Sequence, residues 1–141
     1  MNSTHVSIVA IPDAIFSTIS GIYDVLNSFS LLSTYDDALP NTSPFQVEIV
    51  ALTREAISTA SGLPLYAHLA IADVHSTNIV IVPSVMVQNG EWKTGLYPEV
   101  VQWLLDMYSQ GSILCSACSG ALLLAETGLL DGKDATMHWA Y

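Results

Sequence analysis

Cys115 and Cys118, the two cysteines of the chain, lie in the stretch ILCSACSGALLL at residues 113–124. Three chemistries share this spacing: a redox pair, half of a zinc site, or one working thiol beside one packed thiol. A thioredoxin-type pair opens with its first cysteine at a helix N-terminus. Here the second cysteine occupies that point, and Cys115 falls within an expected strand. Zinc requires four ligands, and His5, His68, His75 and His138 keep no ligand spacing to one another or to the cysteines. The pattern therefore favours a single working thiol, with no metal and no cofactor expected. Cys118 sits between a strand and a helix, with Ser119 and Gly120 to make the turn and Ser116 as the small residue before it. Such a tight strand-to-helix turn is the geometry of a nucleophile elbow. A helix N-terminus favours thiolate, and the amides of Ser119 and Gly120 are expected to face a developing oxyanion. Cys115 is expected to be buried and inert. The structural alternative for Cys118, a small residue that merely fits the turn, stays open.

The elements that must hold this turn are legible as alternating strand and helix patterns. The run VSIVAI at residues 6–11, closed by Pro12, reads as a buried strand. Ile15, Phe16, Ile19, Ile22, Tyr23, Leu26 and Phe29 then recur at helical spacing over about four turns. Residues 33–44 are turn-rich and polar, so they form a loop. Residues 45–52 alternate as a second strand, with Phe45, Val47, Ile49 and Ala51 on one side. A small hairpin turning near Ser61-Gly62 is expected over residues 56–67. Residues 78–83 are apolar on both faces, as in a parallel strand between helix layers. Pro98 opens the next helix, whose stripe is Val100, Val101, Leu104, Met107 and Tyr108, and Gly111 stops it. Residues 112–117 give a short fourth strand, and residues 119–127 a last helix ended by Gly128. Right-handed crossovers turn this series into an open, mainly parallel sheet with helices on both faces. Sites in that architecture form at the carboxyl ends of strands. Those ends are Pro12-Asp13, Pro83-Ser84 and Ala117-Cys118.

The chain has 141 residues, the size of one domain, so residues 1–141 are expected to fold as a single unit. Only 11% of residues are charged while 51% are hydrophobic, which points to a covered apolar surface and hence a homodimer. Arg54, Lys93 and Lys133 face thirteen acids, and the net charge of -10 repels phosphate backbones. Direct nucleic-acid contact by these residues is excluded on that ground. The N-terminus has no positive region and its apolar run breaks at Pro12-Asp13, unlike a signal peptide. No run approaches the length of a membrane span. A cytoplasmic protein with reduced thiols and no membrane contact is the expectation.

The stretch ACSGALLLAETGLLDGKDATMHWAY at residues 117–141 resembles the elbow segment of the ThiJ/PfpI superfamily, part of the class I glutamine amidotransferase-like fold. Its pattern C-[ST]-G-A…L-L-A-x-x-G-L-L-D-G…A-T-x-H-W is most like the amidase-like N-terminal domains of AraC-type transcriptional regulators. AIPDAIFSTISGIYDVL at residues 10–26 is similar to the opening strand, loop and G-x-x-D-V helix of the same group. The resemblance implies a flavodoxin-like α/β fold, a three-layer sandwich around a mainly parallel sheet. It also implies that C-terminal elements and a helix-turn-helix domain, present in relatives, are absent from this chain. Carried over by residue, it makes Cys118 the nucleophile and His138 the histidine beside it.

Two departures bear on catalysis. Hydrolase-like members place an acid on the helix after the first strand, where this chain has Ser17-Thr18. Asp13 stands just before, either at the pocket mouth or as a helix cap. Pro83-Ser84 replaces a Gly-Gly turn that helps form the oxyanion hole. The expected function is a ligand-sensing domain of an AraC-type regulator that holds a small molecule through Cys118, Ser84, Ser119 and Gly120. The alternative is a cysteine-dependent enzyme, an amidase-like hydrolase or an isonitrile hydratase. Redox sensing by Cys118 is a third reading.

Overall fold

The computed structural model describes residues 3–139. Its centre is a sheet whose strands run in the order β5 (Leu69–Ala70), β2 (Phe45–Ala51), β1 (Thr4–Val9), β6 (Ile79–Val82) and β7 (Ile113–Ser116), every neighbouring pair parallel. The β-branched run expected first is β1 (Thr4–Val9), followed by β2 (Phe45–Ala51), β6 (Ile79–Val82) and β7 (Ile113–Ser116). β1 leads through α1 (Phe16–Asn27) to β2 on one side. β6 leads through α3 (Pro98–Ser109) to β7 on the other. Right-handed crossovers in opposite directions put α1 and α3 on opposite faces, which makes the three layers. The direction of growth reverses between β1 and β6, where ligand crevices open in such sheets.

Three local features differ from the sequence pattern, while the small hairpin agrees with it. The apolar stripe of the first helix is broken at Ser28, whose hydroxyl donates to the Val25 carbonyl at 2.7 Å. A separate turn, α2 (Phe29–Leu32), follows it. The small hairpin is present as β3 (Ile57–Ser58) against β4 (Pro64–Leu65), with Gly62 at φ +81 in its turn. The strand β5 (Leu69–Ala70) has no pattern of its own, because two residues carry no periodicity. It is reached through His68, whose amide donates to the Ile49 carbonyl at 2.8 Å and whose Nδ1 accepts the Ile49 amide at 2.9 Å. In α3 the buried residues are Val100, Trp103, Leu104 and Met107, so Trp103 belongs to the stripe and Tyr108 turns outward.

The register explains a further correction. Parallel partners share a face, and the row Ile8, Ile81, Cys115 crosses the sheet from centre to edge. Ile8 is fully buried, Ile81 half-buried and Cys115 exposed. Cys115 is therefore not the buried core residue the sequence predicted. β7 is the outer strand, so its residues have a neighbour on one side only. Ile113, in the adjacent row, is 62% exposed for the same reason. Among the described residues no helix is long and apolar enough to cross a membrane.

Candidate functional site

The segments leaving β1, β6 and β7 run side by side, since these strands are neighbours and parallel. Ala14 bridges Val85 in an antiparallel pair. The Ile15 amide donates to the Ser84 carbonyl at 2.8 Å, and the Met86 amide to the Asp13 carbonyl at 2.7 Å. The same middle segment is tied to the third. Ser119 Oγ donates to the Val85 carbonyl at 2.7 Å and accepts the Val85 amide at 2.9 Å. Ser84 Oγ donates to the Ala117 carbonyl at 3.2 Å. Val85 thus joins the Asp13 loop to the Cys118 turn, and the hydroxyls of Ser84 and Ser119 hold that junction.

Cys118 itself has φ +48, a left-handed conformation costly for any residue with a Cβ. Its thiol is exposed. α4 (Gly120–Ala125) starts two residues later. A Cβ on Gly120 would lie 2.4 Å from the Pro83 carbonyl oxygen and 2.6 Å from that of Val82. Glycine is what lets α4 close onto the end of β6. The Gly120 amide, expected to face an oxyanion, instead donates to the Ala117 carbonyl at 2.9 Å. So tight a turn is closed by its own backbone, which uses the donor.

Asp13 is not the cap of α1. Ile15 holds that position without a side-chain bond. Asp13 Oδ2 accepts the Tyr97 hydroxyl at 2.6 Å. Burial, then the bond to Asp13 and its charge, push the Tyr97 phenol above its ordinary range, so it stays a donor. Asp13 lines a cavity of about 150 Å³ together with Met86, Gln88, Glu91, Trp92, Lys93 and Leu96, a wall that does not include Cys118. The loop supplying those residues turns at Asn89 (φ +54) and Gly90 (φ +75). It is fastened to the end of α4: Trp92 Nε1 donates to Glu126 Oε1 at 2.7 Å, and the Gly95 amide to Glu126 Oε2 at 2.8 Å. Trp92 also stacks on Tyr97, ring centroids 6.4 Å apart.

Sequence reasoning missed Tyr97, Trp92 and Glu126. Asn89-Gly90 was the local signal for a turn, but contacts across 31 to 84 residues leave no mark in spacing. His138 lies outside helix and strand, exposed, its ring 5.2 Å from that of Trp139. Ser17 and Thr18 fall in the first turn of α1, Ser17 exposed.

Comparison with known proteins places this geometry. The model of the DJ-1/PfpI family matches residues 23–141. An isonitrile hydratase from Pseudomonas putida is 26% identical over 125 residues, 85% of this chain and 51% of the relative. The HTH-type transcriptional regulator CdhR from Pseudomonas aeruginosa is 48% identical over 42 residues, 30% of this chain and 12% of the regulator. The chain spans 51% of the length of the first relative, and less of the second. Among solved structures, an AraC family transcriptional regulator from Pseudomonas putida superposes with a TM-score of 0.72 at 22% identity, over 96% of this chain and 67% of that one.

Proposed function

The chain belongs to the DJ-1/PfpI family, and from that membership we propose that it is a ligand-sensing domain of an AraC-type transcriptional regulator. The observation that carries this reading is Cys118: a non-glycine residue in left-handed conformation, exposed, at the meeting point of three strand ends. Strain of this kind is held where a side chain has work to do. The turn acts as a nucleophile elbow in form, with His138 as the partner of the thiol and Asp13, Ser84, Ser119 and Gly120 shaping the surroundings. Binding a small molecule alters the contacts among the three loops, and Val85 transmits the change from the Asp13 loop to the Cys118 turn. Direct nucleic-acid contact is left to other parts of such a regulator, since the net charge is -10.

Efficient amide hydrolysis needs a base, a proton donor for the leaving group and an oxyanion hole. Ser17-Thr18 supplies no carboxylate, and the Gly120 amide is already engaged with Ala117. A second reading is favoured by the isonitrile hydratase relative. Hydration of an isonitrile adds one water across carbon and yields an N-substituted formamide. It requires a nucleophile and a proton source but expels no leaving group, so fewer parts suffice. The test is a panel of amides and isonitriles assayed alongside a ligand-shift melting screen. Binding that persists in Cys118→Ser, with no turnover in either form, supports the sensor. Turnover that disappears in Cys118→Ala transfers the chain to the enzymes.

A further inference from the structure

The cavity beside Asp13 is walled by side chains of both charges, the carboxylates of Asp13 and Glu91 and the ammonium of Lys93. Among the described residues none of the three is in an ion pair, and Lys93 lies over no aromatic ring. Asp13 is the most constrained of them. The Tyr97 hydroxyl donates to its Oδ2 at 2.6 Å and fixes the carboxylate. Oδ1 accepts no hydrogen bond from the described residues, yet it is not shut off from solvent. A half-buried carboxylate with one oxygen anchored and the other open is poised to accept a charge-assisted bond. The wall around it is pre-formed. The Met86 amide donates to the Asp13 carbonyl at 2.7 Å, and Glu126 accepts Trp92 Nε1 at 2.7 Å and the Gly95 amide at 2.8 Å. These bonds pin both ends of the loop that carries Glu91 and Lys93. The cavity, about 150 Å³, is smaller than the roughly 300–1,000 Å³ of a pocket for a drug-sized ligand, so its occupant is small.

We propose that this cavity binds a zwitterionic amino acid with a short side chain, its ammonium on Asp13 Oδ1 and Glu91 and its carboxylate on Lys93. Both signs of charge in one small space select a ligand that carries both. A simple amine satisfies the two carboxylates but brings a second cation to Lys93. A simple carboxylate reverses the fault and sets a third anion against Asp13 and Glu91. Trp92, Met86 and Leu96 complete the wall and take a methyl-sized group. The inference names the ligand class of the sensor reading and rests on that reading for its purpose, while the binding itself requires nothing of Cys118, which is not part of this wall.

Trp92 reports from the wall itself, since its indole N–H gives its own resonance in ¹⁵N-labelled protein, and Trp103 and Trp139 lie outside the cavity as references. L-Alanine is expected to move the Trp92 resonance saturably. Ethylammonium is alanine without its carboxylate and propionate is alanine without its ammonium, and each binds at least about tenfold more weakly. Lys93→Met lowers alanine affinity by about tenfold and leaves that for ethylammonium equal or higher, whereas Glu91→Gln lowers both by about threefold or more. Both positions are exposed, so the variants keep the fold. An unmoved Trp92 resonance up to about 50 mM alanine overturns the proposal. Ethylammonium or propionate binding as tightly as alanine overturns it as well, as does Lys93→Met weakening alanine and ethylammonium alike. The sensor reading fails separately. A melting shift with an amide or isonitrile where alanine is silent keeps the sensor and removes this ligand class. Alanine binding beside amide turnover that is lost in Cys118→Ala keeps this site and removes the sensor.

Discussion

Replacing Gly120 by alanine tests the close approach on which the Cys118 turn depends. The added Cβ meets two backbone oxygens, at 2.4 Å from Pro83 and 2.6 Å from Val82. Carbon and oxygen settle no closer than about 3.0 to 3.4 Å, so α4 and the end of β6 must part by roughly 0.5 to 1 Å. Neither neighbour is a side-chain tip that can swing aside. The shift also loosens the paired bonds between Ser119 and Val85 that lie at the same junction. Overpacking of this kind costs about 1–3 kcal/mol, and contact with backbone puts this case near the upper end. With a urea m-value of about 1.5 kcal/mol/M, the unfolding midpoint falls by roughly 2 M. Gly21→Ala is the control. Gly21 lies inside α1 with nothing within 4 Å of a Cβ, so alanine there stabilises by about 0.5–1 kcal/mol through helix propensity. Opposite signs for two glycine-to-alanine changes are expected in urea unfolding followed by circular dichroism. Gly120→Ala with an unchanged or raised midpoint refutes the packing argument.

Four other outcomes follow from the same structure. Cys118→Gly relieves the left-handed strain and raises stability by up to about 1 kcal/mol, whereas Cys118→Ala does not; equal unfolding midpoints for the two variants count against strain at that residue. Iodoacetamide labels both cysteines, since both are exposed, and peptide mass spectrometry that finds Cys115 protected shows that its edge is covered in solution. Tyr97 has a phenol pKa raised in the folded state, so its contribution to stability is complete below the ordinary phenol pKa of about 10 and is lost as pH rises beyond it. Tyr97→Phe then has a flatter stability curve above pH about 10 than the parent, and superimposable curves contradict a phenol held protonated by burial and by the bond to Asp13. Light scattering is expected to show a homodimer, because only 11% of residues are charged and the apolar edge residue Ile113 is 62% exposed; a clean monomer at micromolar concentration contradicts it.

The parallel α/β architecture was legible in the sequence because its signals are local. Five β-branched or apolar residues among the six before Pro12, a stripe at helical spacing, and Pro98 and Gly111 around a helix each act within a few residues. The Cys118 turn was legible for the same reason, since small residues on either side are a local steric demand, and the φ of Cys118 and the approach at Gly120 meet it. The fate of Cys115 was not. Whether a strand residue is buried depends on strand order, and β7 being outermost is a property of the whole sheet. The partner of Asp13 lies 84 residues away, and Glu126 holds a loop 31 to 34 residues before it. Sequence spacing sets which residues a turn or helix brings together. Contacts between elements are set only when the layers close, so the bond from Tyr97 to Asp13 and the loop at Trp92 were decided by tertiary packing alone.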